Sequence, residues 1–263
     1  MAESPVGSTP AANRRAPSVT MSIESHVAVI EMRRPPANYF DDEVITALTD
    51  AAALADADPD CRVMVLCSQG RHFCAGANFG GDGAFADDRS TMAEKLYTRG
   101  ARLFATRKPI IAAVQGAAVG GGLGLACAAD FRVADTETRF VANFAKLGIH
   151  QGFGLTVTLP AIVGQQIAAD LFYRGATVRG EEATRIGLAD RLAQPGRQRH
   201  VAIGWARDIA AAAPLAIESI RATLRAGMAE RVSDALLLHL VQSSLQLPDP
   251  IGHTRDDNTG QTV

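Results

Sequence analysis

Up to about residue 193, apolar positions fall into short runs separated by glycine-, proline- and aspartate-rich breaks; beyond it they keep helical spacing alone. His26–Met32 is a mostly apolar run of strand length. Pro35-Pro36 ends it, because proline fixes φ and restricts the residue before it. Asp41 or Asp42 is placed to cap a helix that carries Val44, Leu48 and Ala51/Ala52 on one face and stops near Asp58-Pro59. Val63–Cys67 predicts a short buried strand, and the spacing of Met92, Leu96, Leu103 and Phe104 predicts a helix over Ser90–Ala105. Ile110–Val114 predicts a strand that feeds a glycine-rich turn, Gly116 to Gly122, and then a helix of small residues ending near Asp130. Short strands at Phe131–Ala134 and Arg139–Val141, a helix at Gln165–Tyr173, a turn into another helix at 178–183 and a last strand at Leu188–Leu192 complete this alternation. The remainder reads as helices at 198–212, Pro214–Met228 and Val232–Leu247, with proline at one helix start.

Strands alternating with helices, then helices alone, predict an α/β core followed by a C-terminal helical subdomain. The expected organisation is a disordered tail (1–20), a core (21–195), a helical subdomain (196–247) and a polar tail (248–263). The first twenty residues are rich in Pro, Ser and Ala and lack the hydrophobic stretch of a secretory signal. Met21 stands at the edge of the first patterned segment and is the expected functional start. No segment repeats another in sequence.

Composition narrows the chemistry. Hydrophobic residues make up 47% of the 263, enough for a packed core, and no run approaches the ~20 residues of a membrane span. With 26 basic and 28 acidic side chains the net charge is −2, which points to neither nucleic acid nor a membrane surface as partner. The four cysteines lack metal-type spacing and read as small reduced residues of a cytoplasmic protein. Cys74 lies in a loop, but no base is evident that would make it a nucleophile.

Gly120-Gly121-Gly122-Leu123-Gly124-Leu125 lacks the final glycine of a dinucleotide fingerprint and sits mid-chain. Gly-Lys-Ser/Thr and G-x-S-x-G are both absent. His72 and His150 are too far apart in sequence to suggest a shared metal, and each reads first as a hydrogen-bonded loop residue. The stretch Lys108–Asp130 stays open to two readings. A strand that breaks into glycines and opens a helix leaves N–H groups without intrahelical partners, which suits an oxygen gaining negative charge. It is equally a tight turn in which glycine avoids a clash. Phe73–Ala77 and Gly120–Gly122 each follow a buried strand. If the two loops meet, their N–H groups form an oxyanion hole, in which one donor is worth ~3–4 kcal/mol.

Four segments in order resemble the enoyl-CoA hydratase/isomerase (crotonase) superfamily: GRHFCAGAN (70–78), KPIIAAVQGAAVGGGLGLACAAD (108–130), FVANFAKLGIHQGFG (140–154) and the stretch 159–192. The resemblance covers roughly residues 23–247. It implies an α/β spiral of stacked ββα units and a C-terminal helical subdomain that builds homotrimers or hexamers. The implied ligand is an acyl-CoA thioester, with no further cofactor and no metal. By the same resemblance, Ala77 and Gly121 donate their N–H groups to the thioester oxygen, the Ala75 carbonyl meets the adenine, and Gly76, Gly120, Gly124 and Phe144 line the ligand site.

The chain departs from the family pattern where hydratases keep their two acid/base glutamates, which fall at Gly124 and Phe144. Hydration needs one group to activate water and another to protonate carbon, and neither residue does this. The dehalogenase branch shares glycine at the first position and an aromatic at the second, but its nucleophilic aspartate falls on Gly152 and its auxiliary histidine near Ala101. Lysines that often meet the CoA phosphates are replaced by Phe79-Gly80-Gly81. His150 becomes the leading acid/base candidate, ahead of Glu94 and Tyr97, while Asp82, Asp87 and Asp88 read as solvent-facing. Two readings follow: an acyl-CoA-transforming enzyme that stabilises an enolate with a base other than glutamate, or an acyl-CoA-binding protein without chemistry.

Overall fold

The computed structural model describes residues 17–76 and 95–244. Ala77, Glu94, the glycine/aspartate-rich segment between them and both expected tails beyond residues 16 and 244 lie outside the described residues. The chain opens with a hairpin, β1 (Val19–Glu24) antiparallel to β2 (Val27–Met32), closed by Ser25 and His26 at positive φ. This corrects the boundary of the expected tail. Val19 and Thr20 are strand residues, and Met21 pairs with Ile30 within β1 rather than standing ahead of the fold.

Parallel strands extend the sheet: β3 (Val63–Ser68) beside β2, then β4 (Ile110–Ala113), β6 (Phe131–Asp135) and β9 (Arg191–Ala193), in the order β1-β2-β3-β4-β6-β9. A second sheet consists of β5 (Ala117–Val119), β7 (Arg139–Val141) and β8 (Thr177–Arg179) in the order β5-β7-β8. β5 and β8 lie where the pattern predicted only turns, because each is a three-residue strand enclosed between glycines, Gly116 and Gly120 or Gly175 and Gly180, which read as turn residues.

Asp41 caps α1 (Asp42–Ala57), its carboxylate accepting the Val44 N–H at 3.0 Å. The helix expected to reach Ala105 stops at Gly100 and tightens into a 3-10 turn at Ala101–Ala105. Then come α2 (Gly121–Ala128), α3 (Leu155–Val163), α4 (Gln165–Arg174), α5 (Gly180–Arg185), α6 (Gln198–Ala210), α7 (Pro214–Leu224) and α8 (Met228–Ser244). The chain thus lays one strand in the large sheet, one in the small sheet and then a helix, as in β4-β5-α2 and again in β6-β7-α3. This is the expected α/β spiral of ββα turns.

The large sheet is covered on both faces, so its central strands read as continuous apolar runs. Met64 and Leu66 of β3 join Ile110 and Ala112 of β4 in the main core with α1 and α2. Val63, Val65 and Cys67 join Ile111, Ala113 and Val133 on the other face, beneath Ala202, Ala206 and Ala210 of α6. α6 therefore belongs to the core, and the composition change near residue 196 does not mark a structural boundary. Its alanine stripe lets the helix lie close on the strands, and Arg62 clamps its end by donating to the Ala210 carbonyl at 2.9 Å. Among the described residues no helix is long and apolar enough to cross a membrane.

Candidate active site

The two loops that the sequence could not join do meet. Cys74 bridges to Ala118 of β5: its N–H donates to the Ala117 carbonyl and its carbonyl accepts the Val119 N–H, both at 3.0 Å. The approach is close enough that a Cβ on Gly122 would lie 2.1 Å from the Cys74 oxygen, so only glycine fits there. The loop is held from its other side by Ala75 N–H donating to Ala37 (2.9 Å) and Phe40 N–H donating to the Gly76 carbonyl (3.1 Å). Ala75 and Gly76 are thereby brought beside the β5–α2 junction, a Cβ on Gly76 lying 3.3 Å from the Val119 carbonyl oxygen. Ala77, the other expected donor, lies outside the described residues.

Gly120 makes the turn from β5 into α2. It sits at φ 55° and ψ −119°, a region only glycine enters readily, and its N–H is committed to the Val141 carbonyl at 2.9 Å. α2 begins at the next residue, so the N–H groups of Gly121, Gly122 and Leu123 belong to its first turn and have no intrahelical acceptor. The whole helix is buried, which keeps water from screening the positive end of its dipole. The ring of Phe144, 3% exposed, stands beside this turn, 3.8 Å from where a Gly120 Cβ would be. Asn143 brings its Oδ1 within 3.2 Å of the same point. Sequence reasoning passed over Asn143, although it sits beside Phe144 in one of the motif segments.

An aromatic cluster also escaped the sequence reading. Phe153, at φ +53°, packs with Phe40 (ring centroids 5.5 Å apart) and edge-on to Tyr97 (6.0 Å). Two glycines make room for Phe153 and a third for Tyr97. A Cβ on Gly124 would come within 2.6 Å of Phe153 Cβ, one on Gly100 within 2.6 Å of its ring, and one on Gly152 within 2.3 Å of the Tyr97 ring. Gly121 is similarly confined, its Cβ position lying 2.6 Å from Phe40 Cζ. The space a side chain at 124 or 152 would need is therefore filled by aromatic carbon. Glycines at 100, 124 and 152 were the available signal, but the aromatic pair they accommodate is visible only in three dimensions.

Two candidate groups lose their chemical roles. Cys74 is wholly buried and burial pushes its thiol up to about 12, against any role as nucleophile. Burial likewise holds the Tyr97 phenol well above its ordinary value, so it keeps its proton and cannot act as a base. His150 is half-buried in the loop ahead of α3, with Nδ1 3.0 Å from the Gln151 carbonyl. Protonation at Nδ1 makes that contact a hydrogen bond and leaves Nε2 as an acceptor. Among the described residues no group of His, Cys, Asp and Glu could hold a metal ion.

Comparison with known proteins accounts for this architecture. The chain is 34% identical over 209 residues to (E)-benzylidenesuccinyl-CoA hydratase of Thauera aromatica, covering 77% of this chain and 80% of that protein. It is 35% identical over 185 residues to crotonyl-CoA hydratase of Syntrophomonas wolfei, covering 68% and 70%. The crystal structure of an enoyl-CoA hydratase/isomerase from Pseudoalteromonas atlantica superposes with a TM-score of 0.78 over 89% of this chain and 92% of that one; at 24% identity it bears on the fold alone. The profile of the enoyl-CoA hydratase/isomerase family spans residues 22–242, from within β1 to within α8. The spiral of ββα turns and the glycine-opened helix of this chain are thus those of the enoyl-CoA hydratase/isomerase family, to which it belongs.

Proposed function

We propose that the protein binds an acyl-CoA thioester in the crevice between Ala75–Gly76 and Gly120–Gly121, and that N–H groups of the crevice stabilise negative charge developing on the thioester oxygen. The observation that carries this reading is the buried, uncapped first turn of α2, laid against the Cys74 loop by the bridge to Ala118. Two relatives named for CoA thioester hydration support the substrate class. Gly121 is the proposed donor on the helix side and Ala77 its counterpart. Gly124 and Phe144 replace the acid/base pair, and Phe153 occupies the space beside Gly124, so hydration by paired glutamates is not the reaction we assign. His150 is the proposed proton carrier. The same two residues favour a second reading, an acyl-CoA-binding protein without turnover. We further take the protein as a cytoplasmic homotrimer or hexamer, a reading supported by the exposed Leu215, Ile220 and Leu224 of α7.

The test compares an acyl-CoA with its S-alkyl-CoA thioether, which lacks the carbonyl. Calorimetry is expected to show the thioether binding more weakly by about fivefold, the worth of one hydrogen bond to an uncharged carbonyl of about 1 kcal/mol. Equal affinities would show that no N–H group donates to the thioester oxygen in the bound ground state and would count against the oxyanion role. Turnover is then measured across crotonyl-, longer-chain and aryl-CoA substrates. Rapid hydration of crotonyl-CoA would overturn the glutamate-free assignment, and binding without turnover throughout would select the second reading. His150→Ala is expected to lower kcat by about 100-fold or more with KM little changed, as for loss of a general acid or base. Unchanged kcat would release His150 from that role.

A further inference from the structure

A cleft of about 590 Å³ lies at the far end of β5 from the thioester crevice, where the chain leaves β4 at Gln115 and Gly116. Gly116 and Gly120 are four strand residues apart, about 13 Å, so the two sites are separate. Three cations line this cleft without a partner. Arg139 of β7 and Arg179 of β8 stand directly opposite one another in the antiparallel register, and both border the cleft together with Arg71. Like charges directly opposite across two strands destabilise the pair. Yet among the described residues none of these three arginines makes an ion pair or a side-chain hydrogen bond, although most other ordered arginines of the molecule do.

The acidic residues at hand do not supply the missing charge. Asp135 accepts from Glu137 N–H (2.9 Å), Thr138 Oγ1 (3.0 Å), Gly196 N–H (3.1 Å) and the Gln198 amide, so both its oxygens are used internally. Glu31 is shared by Arg33 and Arg199. Glu137 is the one remaining carboxylate on the lining. The wall beside His72 is rigid: Asn38 donates to the His72 carbonyl at 2.6 Å and Gln115 to the Ser68 carbonyl at 2.7 Å. Nδ1 of His72 is buried there with no hydrogen-bond partner.

The geometry points to a second ligand site: Arg71, Arg139 and Arg179 form a cradle for a phosphate-type dianion. Planar guanidinium forks suit phosphate oxygens, and strand register places the backbone of two such residues directly opposite one another beside the cleft. A dianion between Arg139 and Arg179 converts a repulsive cross-strand pair into two favourable contacts. This inference does not depend on the reading of the thioester crevice. The dianion has two possible sources, free inorganic phosphate or the phosphates of a nucleotide such as the 3′,5′-ADP half of coenzyme A, and the experiment separates them.

Calorimetric titration of the full-length protein at low ionic strength uses inorganic phosphate in one arm and 3′,5′-ADP in the other. Binding is expected in at least one arm. Affinity similar in both identifies free phosphate as sufficient, and binding confined to 3′,5′-ADP identifies the nucleotide. Arg139→Gln and Arg179→Gln are each expected to weaken binding by about tenfold or more, while leaving the ligand-free melting temperature unchanged or raised, because each removes one of two opposed like charges. An independent readout is the His72 imidazole resonance. Its proton affinity is held down first by burial and then by the charges of Arg139 and Arg71, so saturation with the bound anion is expected to shift its titration upward. No binding in either arm, or variants that bind as the wild type does, would overturn the site.

Discussion

Phe153 shows how one residue constrains the chemistry of its neighbours. It holds a backbone conformation costly for a bulky side chain, of order 1 kcal/mol or more, and is kept there by Phe40, Tyr97 and the two glycines that admit it, Gly100 and Gly124. Restoring a carboxylate at position 124 therefore requires more than a codon. Gly124→Glu is expected to destabilise the fold by about 3 kcal/mol or more in denaturant unfolding, through overpacking and a charge pressed against aromatic carbon. It is not expected to confer crotonyl-CoA hydration. Phe153→Ala loses packing by itself, but in the double variant the two effects should be less than additive by about 1–3 kcal/mol, the signature of shared space. Strict additivity would show that residues 124 and 153 do not compete. That position 124 carries glycine and no acid was legible in the sequence. What the glycine makes room for was not, because Phe153 arrives from a different turn of the spiral.

At the scale of elements, the joint between β2 and α6 is electrostatic as well as apolar. Glu31 of β2 meets Arg33 at 2.7 Å and also pairs with Arg199 of α6. Burial acts to raise its pKa, but the hydrogen bond from Arg33 and the charge of Arg199 outweigh it, so the carboxyl is held below its ordinary value. A carboxyl depressed on folding contributes stability that is complete above its unfolded pKa and fades as pH falls through the folded one. The protein should therefore lose stability on acidification below about pH 4.5, and Glu31→Gln should flatten that loss while costing about 1 kcal/mol at neutral pH, the arginines being half exposed. Acid unfolding curves that coincide for the two proteins would exclude Glu31 as a contributor. The elements themselves were largely legible: α1 with its Asp41 cap, β3, β4 and α4 lie where periodicity and capping residues put them. β5 and β8 were not, since three-residue strands owe their existence to hydrogen bonds with β7 and not to a pattern of their own.

For the whole molecule, the large sheet has a separate apolar layer on each face, and the four cysteines are divided between them. All four are buried. Burial pushes Cys67 and Cys74 up to about 12, Cys127 up to about 11, and raises Cys61 as well. Their reaction with a thiol reagent at pH 8 should accordingly require global unfolding. Native protein is expected to show no titratable thiol, and denatured protein all four. A thiol that reacts in the native state at a rate independent of denaturant would show that one layer opens locally.

The sequence by itself determined the α/β class, the family resemblance, the glycine-opened helix at Gly121 and the lack of acids at 124 and 144. Those are properties of residue type and order: glycine where the chain must turn, apolar runs where a strand is covered on both sides. Tertiary structure decided the rest. It brought the Cys74 loop against β5, set Phe153 into the space left by Gly100 and Gly124, claimed α6 for the core, and placed Arg139 opposite Arg179. Each of these joins residues remote in sequence, and none is encoded in a local period. They follow from the spiral path, which brings successive ββα turns into contact only after the whole chain has wound.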